Sequence, residues 1–426
     1  MISSLLWVRK GAAAEKPEKY ELDDKEFERI SKFPEFKPEL MKKIDNESKA
    51  IIKEEDEEMK DIKMMEEEGL SIFGNVKGLA YYTSNKEDPY ITLNDDDEDE
   101  DSGDIRILPT DNLLVVAKTE DELSHLEICV YEELEDNFYV HHDIMMPSFP
   151  LCLEWLDFRL GSKDGSGSTV DAPGNYIAVG TFEPEIEIWD LDTIDSEPNS
   201  EYHTDAVISL SWNKNHRNIL ASSSADTTMK LWDLQSLKCV HSFNHHKDKV
   251  QQVEWHPIES TILLSASFDK TVSAFDSRSP DVISYWSLHD TEPECIKWDP
   301  LSPNNFYVST ESGSVLNYDI RNHSNSIGDA QQQPVFTLHA HDGSCTSIDL
   351  NYQIKGLLVT GSIDKQVKIW DCSDNKPVLI TSKNFGVGKI FSTKFCPDSA
   401  YQLAMGGSEG KVFIWNLLTN SSYFFE

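Results

Sequence analysis

The 426-residue sequence predicts an all-β fold, a closed ring of seven small antiparallel sheets, and three observations carry that prediction. The stretch from His203 to Asp276 writes one unit twice in the same register: His203, Trp212, Asp226 and Trp232 return 43 residues later as His246, Trp255, Asp269 and Phe275. The aromatic that ends each unit then recurs along the chain. Tyr131 is followed by Trp189, then Trp232, Phe275 and Tyr318 at steps of 43, then Trp370 and Trp415 at steps of 52 and 45, which makes seven endings. Finally, each unit holds short apolar runs separated by polar turns, the spacing of an antiparallel meander and not of helices.

Within the first copy the runs are Ala206–Trp212, Ile219–Ser224, Thr228–Trp232 and Lys238–Phe243, one blade of four strands. The tight turn between the second and third strands carries Asp226, Thr227 and Thr228, and the next copy has Asp269, Lys270 and Thr271 there. Asp suits such a turn because its carboxylate accepts hydrogen bonds from nearby backbone N–H groups. A period of about 40 to 45 residues, with a His before the first strand and Trp-Asp closing the third, marks the WD40 β-propeller. In WD40 blades, which these units resemble, the turn Asp bonds the loop His, and the His links through a strand Ser or Thr to the Trp. That resemblance implies a structural network of His203, Asp226 and Trp232, with further copies at His246 and Asp269 and at His341, Asp364 and Trp370. Glu183, Ser312 and Glu409 occupy the Asp position elsewhere, so those blades should depend on packing.

Ser, His and Asp in one unit could also be a hydrolytic triad. Repetition at a fixed period argues against it, because an enzyme needs one site and not several. There is no nucleophile elbow, phosphate-cradling glycine loop or metal-ligand spacing. No catalytic, cofactor-binding or metal-binding residue is therefore expected, and no cofactor or small-molecule substrate. An apolar run of membrane-spanning length is missing too, so no membrane partner is expected. The seven cysteines show no close pairing, and with no visible signal peptide they point to a reducing intracellular compartment.

A net charge of -38 argues against holding nucleic acid through a broad basic surface. Residues 1–104 carry 30 acidic and 16 basic side chains, a net of -14, which leaves -24 on the rest. An acidic surface of this kind attracts basic partners such as ribosomal proteins or histone tails, and it also serves simple solubility.

Three regions follow from this reading: an acidic extension over 1–78, a strand-like segment and acidic loop over 79–104, and a seven-bladed propeller over 105–426. In the extension, Leu5 to Gly11 hold a short apolar patch with two basic residues behind it, and Trp7, Val8 and Arg9 are read as a partner-binding anchor, the alternative being that the patch folds back on the propeller. Apolar residues from Leu40 to Met65 fall partly at helical spacing, and the five acids Glu54–Glu58 interrupt them, so the extension is expected to be partly helical or disordered. Residues 1–68 should then lack a fixed structure in the free protein, and the ring should survive their removal. The seven acids Asp95–Asp101 read as a solvated loop. For closure of the seventh blade there are two candidate outer strands, Ser421–Phe425 and Leu79–Thr83, and the C-terminal one is favoured for its aromatic content.

Several local stretches resemble the periodic tryptophan protein family of WD40 proteins: Trp7 Val8 Arg9, Asp88 to Leu93, Pro109 to Leu113, Phe138 to Ile144, Gly174 to Gly180 and His203 to Val207. The resemblance spans nearly the whole chain. It implies a nuclear and nucleolar ribosome-assembly factor acting on large-subunit (pre-60S) precursors and supporting rRNA processing. Its partners would be assembly factors, ribosomal proteins and rRNA. The alternative it implies is a chromatin-associated propeller that binds histone tails and regulates ribosomal RNA genes. Only Arg9 Lys10 and Lys42 Lys43 offer adjacent basic pairs for nuclear import, so entry on a partner is a further expectation.

Overall fold

The computed structural model describes residues 1–19 except 16, and residues 106–425 except 122, 134–136, 159–172, 195–198, 280–281, 289, 323–332 and 419–421. The amphipathic stretch from Leu40 to Met65, the strand candidates near Leu79 and Pro89, and the acid run at Asp95 all lie outside the described residues. Residues 1–19 form one compact unit with residues 105–426.

Among the described residues, that unit holds seven four-stranded antiparallel sheets and one short parallel pair, Glu18–Lys19 with Thr193–Ile194. In blade 3 the strands are Val207–Trp212, Ile219–Ser224, Met229–Asp233 and Lys238–Phe243, within a residue or two of the runs read from the sequence. The four tiers of a blade differ in burial for a simple reason. The second strand lies between two strands of its own sheet and between two neighbouring blades, so Leu220 to Ser224 are all buried. The outer strand has one free edge, and in Lys238–Phe243 only Phe243 is buried. All seven aromatics at the blade endings, from Tyr131 to Trp415, fall on third strands and are buried. The ring of seven blades is thus as expected.

Its closure is not. Blade 1 takes its first, axis-facing strand from the extreme N-terminus: Ile2–Val8 pairs antiparallel with Asn112–Glu120, which continues into Leu123–Glu132 and Asn137–Met146. The expectation that residues 1–68 are dispensable and unstructured is therefore corrected for their first part, and the extension cannot begin at residue 1. The physical reason is burial. Ile2, Leu5 and Trp7 pack with Leu114, Tyr131, Cys396, Ala404 and Ile414, a core shared by blades 1 and 7. On the other flank, Val8 packs with Leu153, Ile177, Val179 and Trp189 of blade 2.

Three glycines show that Ile2–Val8 is a regular first strand. A methyl group at Gly180 would come within 2.8 Å of Val207 Cγ1, and one at Gly361 within 2.5 Å of Ile390 Cγ2, the residues that start the next blade's first strand. At Gly406 in blade 7 the same clash would be with Ile2 Cγ2, at 2.7 Å. Ile2 therefore plays the part of Val207 and Ile390. At the other end of the chain, Ser422–Phe425 pairs with Val412–Asn416 as the outer strand of blade 7, which is the C-terminal completion favoured from the sequence.

Candidate functional site

Two constellations of polar side chains stand out, and they answer different questions. The first is the repeated network. In blade 3, His203 Nδ1 lies 2.9 Å from Asp226 Oδ2, His203 Nε2 lies 2.6 Å from Ser222 Oγ, and Trp232 Nε1 donates to the same Oγ at 2.7 Å. An indole N–H can only donate, so the Ser222 hydroxyl hydrogen is free to go to His203 Nε2, and Nδ1–H is left to serve Asp226. A neutral imidazole thus satisfies every member. Blade 6 repeats the arrangement with His341, Asp364, Thr360 and Trp370 at 2.8, 2.8 and 3.0 Å. In blade 4, His246 contacts Asp269 at 3.0 Å and Ser265 at 2.8 Å, while Phe275 replaces the indole. His289, the next His of that series, lies outside the described residues.

Each Asp also fixes its turn. Thr228, Thr271 and Gln366 donate their backbone N–H to the Asp two residues earlier, at 2.9, 3.0 and 2.9 Å. Between them Thr227, Lys270 and Lys365 sit at φ of 69°, 65° and 68°, a left-handed conformation that costs a non-glycine residue of order 1 kcal/mol or more. The carboxylate holds the turn against that strain. Burial by itself would raise the Asp226 carboxyl, but bonds from His203 and Thr228 outweigh it and hold it well below the usual carboxylate range. Asp269 is held down in the same way by His246 and Thr271. Although Ser222, His203 and Asp226 are spaced like a hydrolytic triad, Ser222 is 0% exposed and its oxygen is taken by Trp232. Blades without the network show the expected substitution by packing. Val308 and Met405 stand where Ser222 does, and the blade 7 indole of Trp415 meets the Lys383 ammonium at 4.7 Å instead.

Trp7 and Val8, expected to anchor a partner, are 5% and 1% exposed and cannot do so in this fold. Trp7 Nε1 donates to Lys394 O at 3.2 Å, and Leu5 N–H donates to Ser392 Oγ at 3.3 Å, both in blade 7. The sequence shows Trp7 far from any repeat, yet the chain brings it back to the ring. Arg9 is the exposed member of the three.

The second constellation was not anticipated. One position of the first strands, directly before Trp7, Trp155, Trp212, Trp255, Trp298, Leu350 and Phe395, is turned toward the axis of the ring. It is Leu6 in blade 1, then Glu154, Ser211, Glu254, Lys297, Asp349 and Lys394. Where the residue can accept, it takes a backbone N–H from the next blade. Trp212 donates to Glu154 at 3.0 Å, Trp255 to Ser211 at 3.1 Å, Trp298 to Glu254 at 2.9 Å and Phe395 to Asp349 at 2.8 Å. Lys297 crosses the wall to Glu254 at 2.7 Å and to Asp349 at 4.0 Å.

These groups feel one another across the ring. Burial pushes the Glu154 carboxyl up, and the Trp212 N–H together with Lys214, Lys297 and Lys394 pulls it back. Burial would lower Lys297, but Glu254, Tyr352 and Asp349 hold it well above the ordinary lysine value. Tyr352 is raised, first by Asp349. Lys214 is lowered by its enclosure, with Glu154 opposing and Lys297 and Arg9 adding to the shift. Five of the seven blades thus bring charges of both signs, Glu154, Glu254, Lys297, Asp349 and Lys394, to one end of the axis. The signal was present in the sequence as the residue before Trp155, Trp212, Trp255, Trp298 and Phe395, but its charge changes from blade to blade and shows no period.

Comparison with known proteins adds breadth to this geometry. Residues 175–257 match the model of the anaphase-promoting complex subunit 4 WD40 domain, and residues 332–371 match the WD domain, G-beta repeat. An uncharacterized WD repeat-containing protein of Schizosaccharomyces pombe is 40% identical, over 99% of this chain and 89% of its own length. Periodic tryptophan protein 1 of Saccharomyces cerevisiae is 33% identical over 99% of this chain and 89% of its own. Its Drosophila melanogaster homolog is 29% identical over 96% and 92%.

Proposed function

Because this chain belongs to the periodic tryptophan protein 1 family of WD-repeat proteins, we propose that it is a non-catalytic scaffold of ribosome biogenesis. In this reading it assembles on large-subunit precursors and supports rRNA processing in the nucleolus. The observation that carries it is the extent of the similarity, which runs through 99% of the chain. Two physical features support it. The Ser–His–Asp arrangement of the blades is buried and spent on structure, as Ser222 at 0% exposure shows. The net charge of -38 favours encounter with basic proteins, and ribosomal proteins and assembly factors are the partners proposed.

Pulse-labelling of RNA after acute depletion tests the role. Unprocessed large-subunit rRNA precursors should accumulate while small-subunit maturation continues. Normal processing with altered transcription of the rRNA genes would favour a chromatin reader that holds histone tails instead.

A further inference from the structure

The outermost strand of blade 6 among the described residues, Val378–Lys383, departs from its counterparts. In blades 3, 4 and 5 the outer strand sends one large side chain inward: Phe243, Trp286 and Leu338 stand opposite Met229, Val272 and Val315 and are buried. Opposite Val367 of blade 6 the corresponding residue is Lys383, whose ammonium lies 4.7 Å from the centre of the Trp415 ring. No residue of this strand is buried. Its aliphatic side chains sit at its start and face solvent, Val378 being 61% exposed, Leu379 46% and Ile380 56%. Three consecutive exposed aliphatic residues serve no core of their own chain, and a run of that kind marks a contact surface.

Charge and edge geometry together say what covers it. In a chain of net charge -38, the stretch from Lys355 to Lys394 carries seven lysines, three aspartates and no glutamate. Of those aspartates Asp364 is committed to His341, whereas Lys376, two residues before Val378, is exposed beside the aliphatic run. A partner with carboxylates next to its own apolar residues is attracted there, and a basic one is repelled. The strand register passes over Ile380, since Trp370 pairs with Leu379 and Ile369 with Thr381. Such a bulge blunts the edge against regular strand addition, so recognition runs through side chains. The same bulge disfavours edge pairing with a second copy, which would also bring like charges together. Aliphatic side chains offer nucleic acid bases no stacking surface. The occupant that remains is another protein.

We propose that the outer edge of blade 6 docks a short segment of a partner protein in which aliphatic residues stand next to acidic ones. Its apolar side chains cover Val378, Leu379 and Ile380, and its carboxylates face Lys376. The surface is independent of which particle the scaffold serves.

The test is fluorescence anisotropy of the full-length protein with three labelled peptides that share a Leu-Ile-Val core and are flanked by glutamate, serine or lysine. The glutamate-flanked peptide should bind best, and added salt should weaken it. Val378→Ser with Ile380→Ser together should weaken it about tenfold, the step expected when aliphatic contacts are lost. Lys376→Glu should narrow its advantage over the lysine-flanked peptide. Val240→Ser, at a site of 61% exposure on the outer strand of blade 3, should change nothing. Should the double variant melt earlier than the parent, Lys376→Glu, outside the strand, gives the reading. Equal or absent binding of the three peptides, preference for lysine flanks, or indifference to the blade 6 variants would each overturn the proposal. So would self-association of the parent in sedimentation velocity that the double variant abolishes, since a second copy would then cover the patch.

Discussion

Asp226 is where the stability of a blade becomes dependent on pH. Its carboxyl is buried with 6% side-chain exposure and is held below the ordinary range by His203 and Thr228. When a carboxyl is depressed in the folded state, the unfolded chain takes up its proton first as pH falls. The stabilisation is therefore present above the unfolded value of about 3.9 and is lost below it. Asp226→Ala should cost about 1.5 to 3 kcal/mol at pH 7, the usual loss for a charge-assisted bond in a buried setting. The difference from the parent should shrink as pH falls below about 3.9, measured by urea unfolding across pH. A variant as stable as the parent at pH 7 but unable to bind partners would place Asp226 in a site and not in the network. At this scale the sequence was a good guide, since a polar chain repeated at 43 residues leaves the same residue types at the same spacing each time.

The N-terminal strand decides the matter at the level of elements. Periodicity led from Tyr131 to Trp415 because each blade's strands follow one another in the chain. It could not lead to Ile2–Val8, since that strand and its partner Asn112–Glu120 are separated by residues 9–111. Trp7 was consequently legible as a lone aromatic, and a lone aromatic near a terminus reads as an anchor for something else. The packing shows that the anchor is for the ring itself. Replacing Trp7 by Ala should cost about 3 to 5 kcal/mol, as for other buried Trp truncations. Deleting residues 2–8 should lower the melting temperature further than deleting residues 422–425, because the first strand is packed against blades 1, 2 and 7 while the last is an outer strand. Equal melting temperatures for the parent and the 2–8 deletion would show that the ring closes without its first strand.

For the molecule as a whole, the seven-fold pattern was written in the sequence by its third-strand aromatics, whereas the axial ring of charges was not. Core positions must be apolar in every blade, so they repeat. Axial positions have only to balance one another across the ring, so Glu254 of one blade can face Lys297 of the next and Asp349 of the blade after that without any repeat in sequence. The scaffold role proposed for this ring, which is closed through blade 1, needs partners that it holds together. The most direct test of that role is sedimentation of the tagged protein from cell extract through a density gradient, with mass spectrometry of the fractions. The account predicts co-migration with large-subunit precursors and their assembly factors. Sedimentation free of those precursors, together with recovery on nucleosomes, would contradict it.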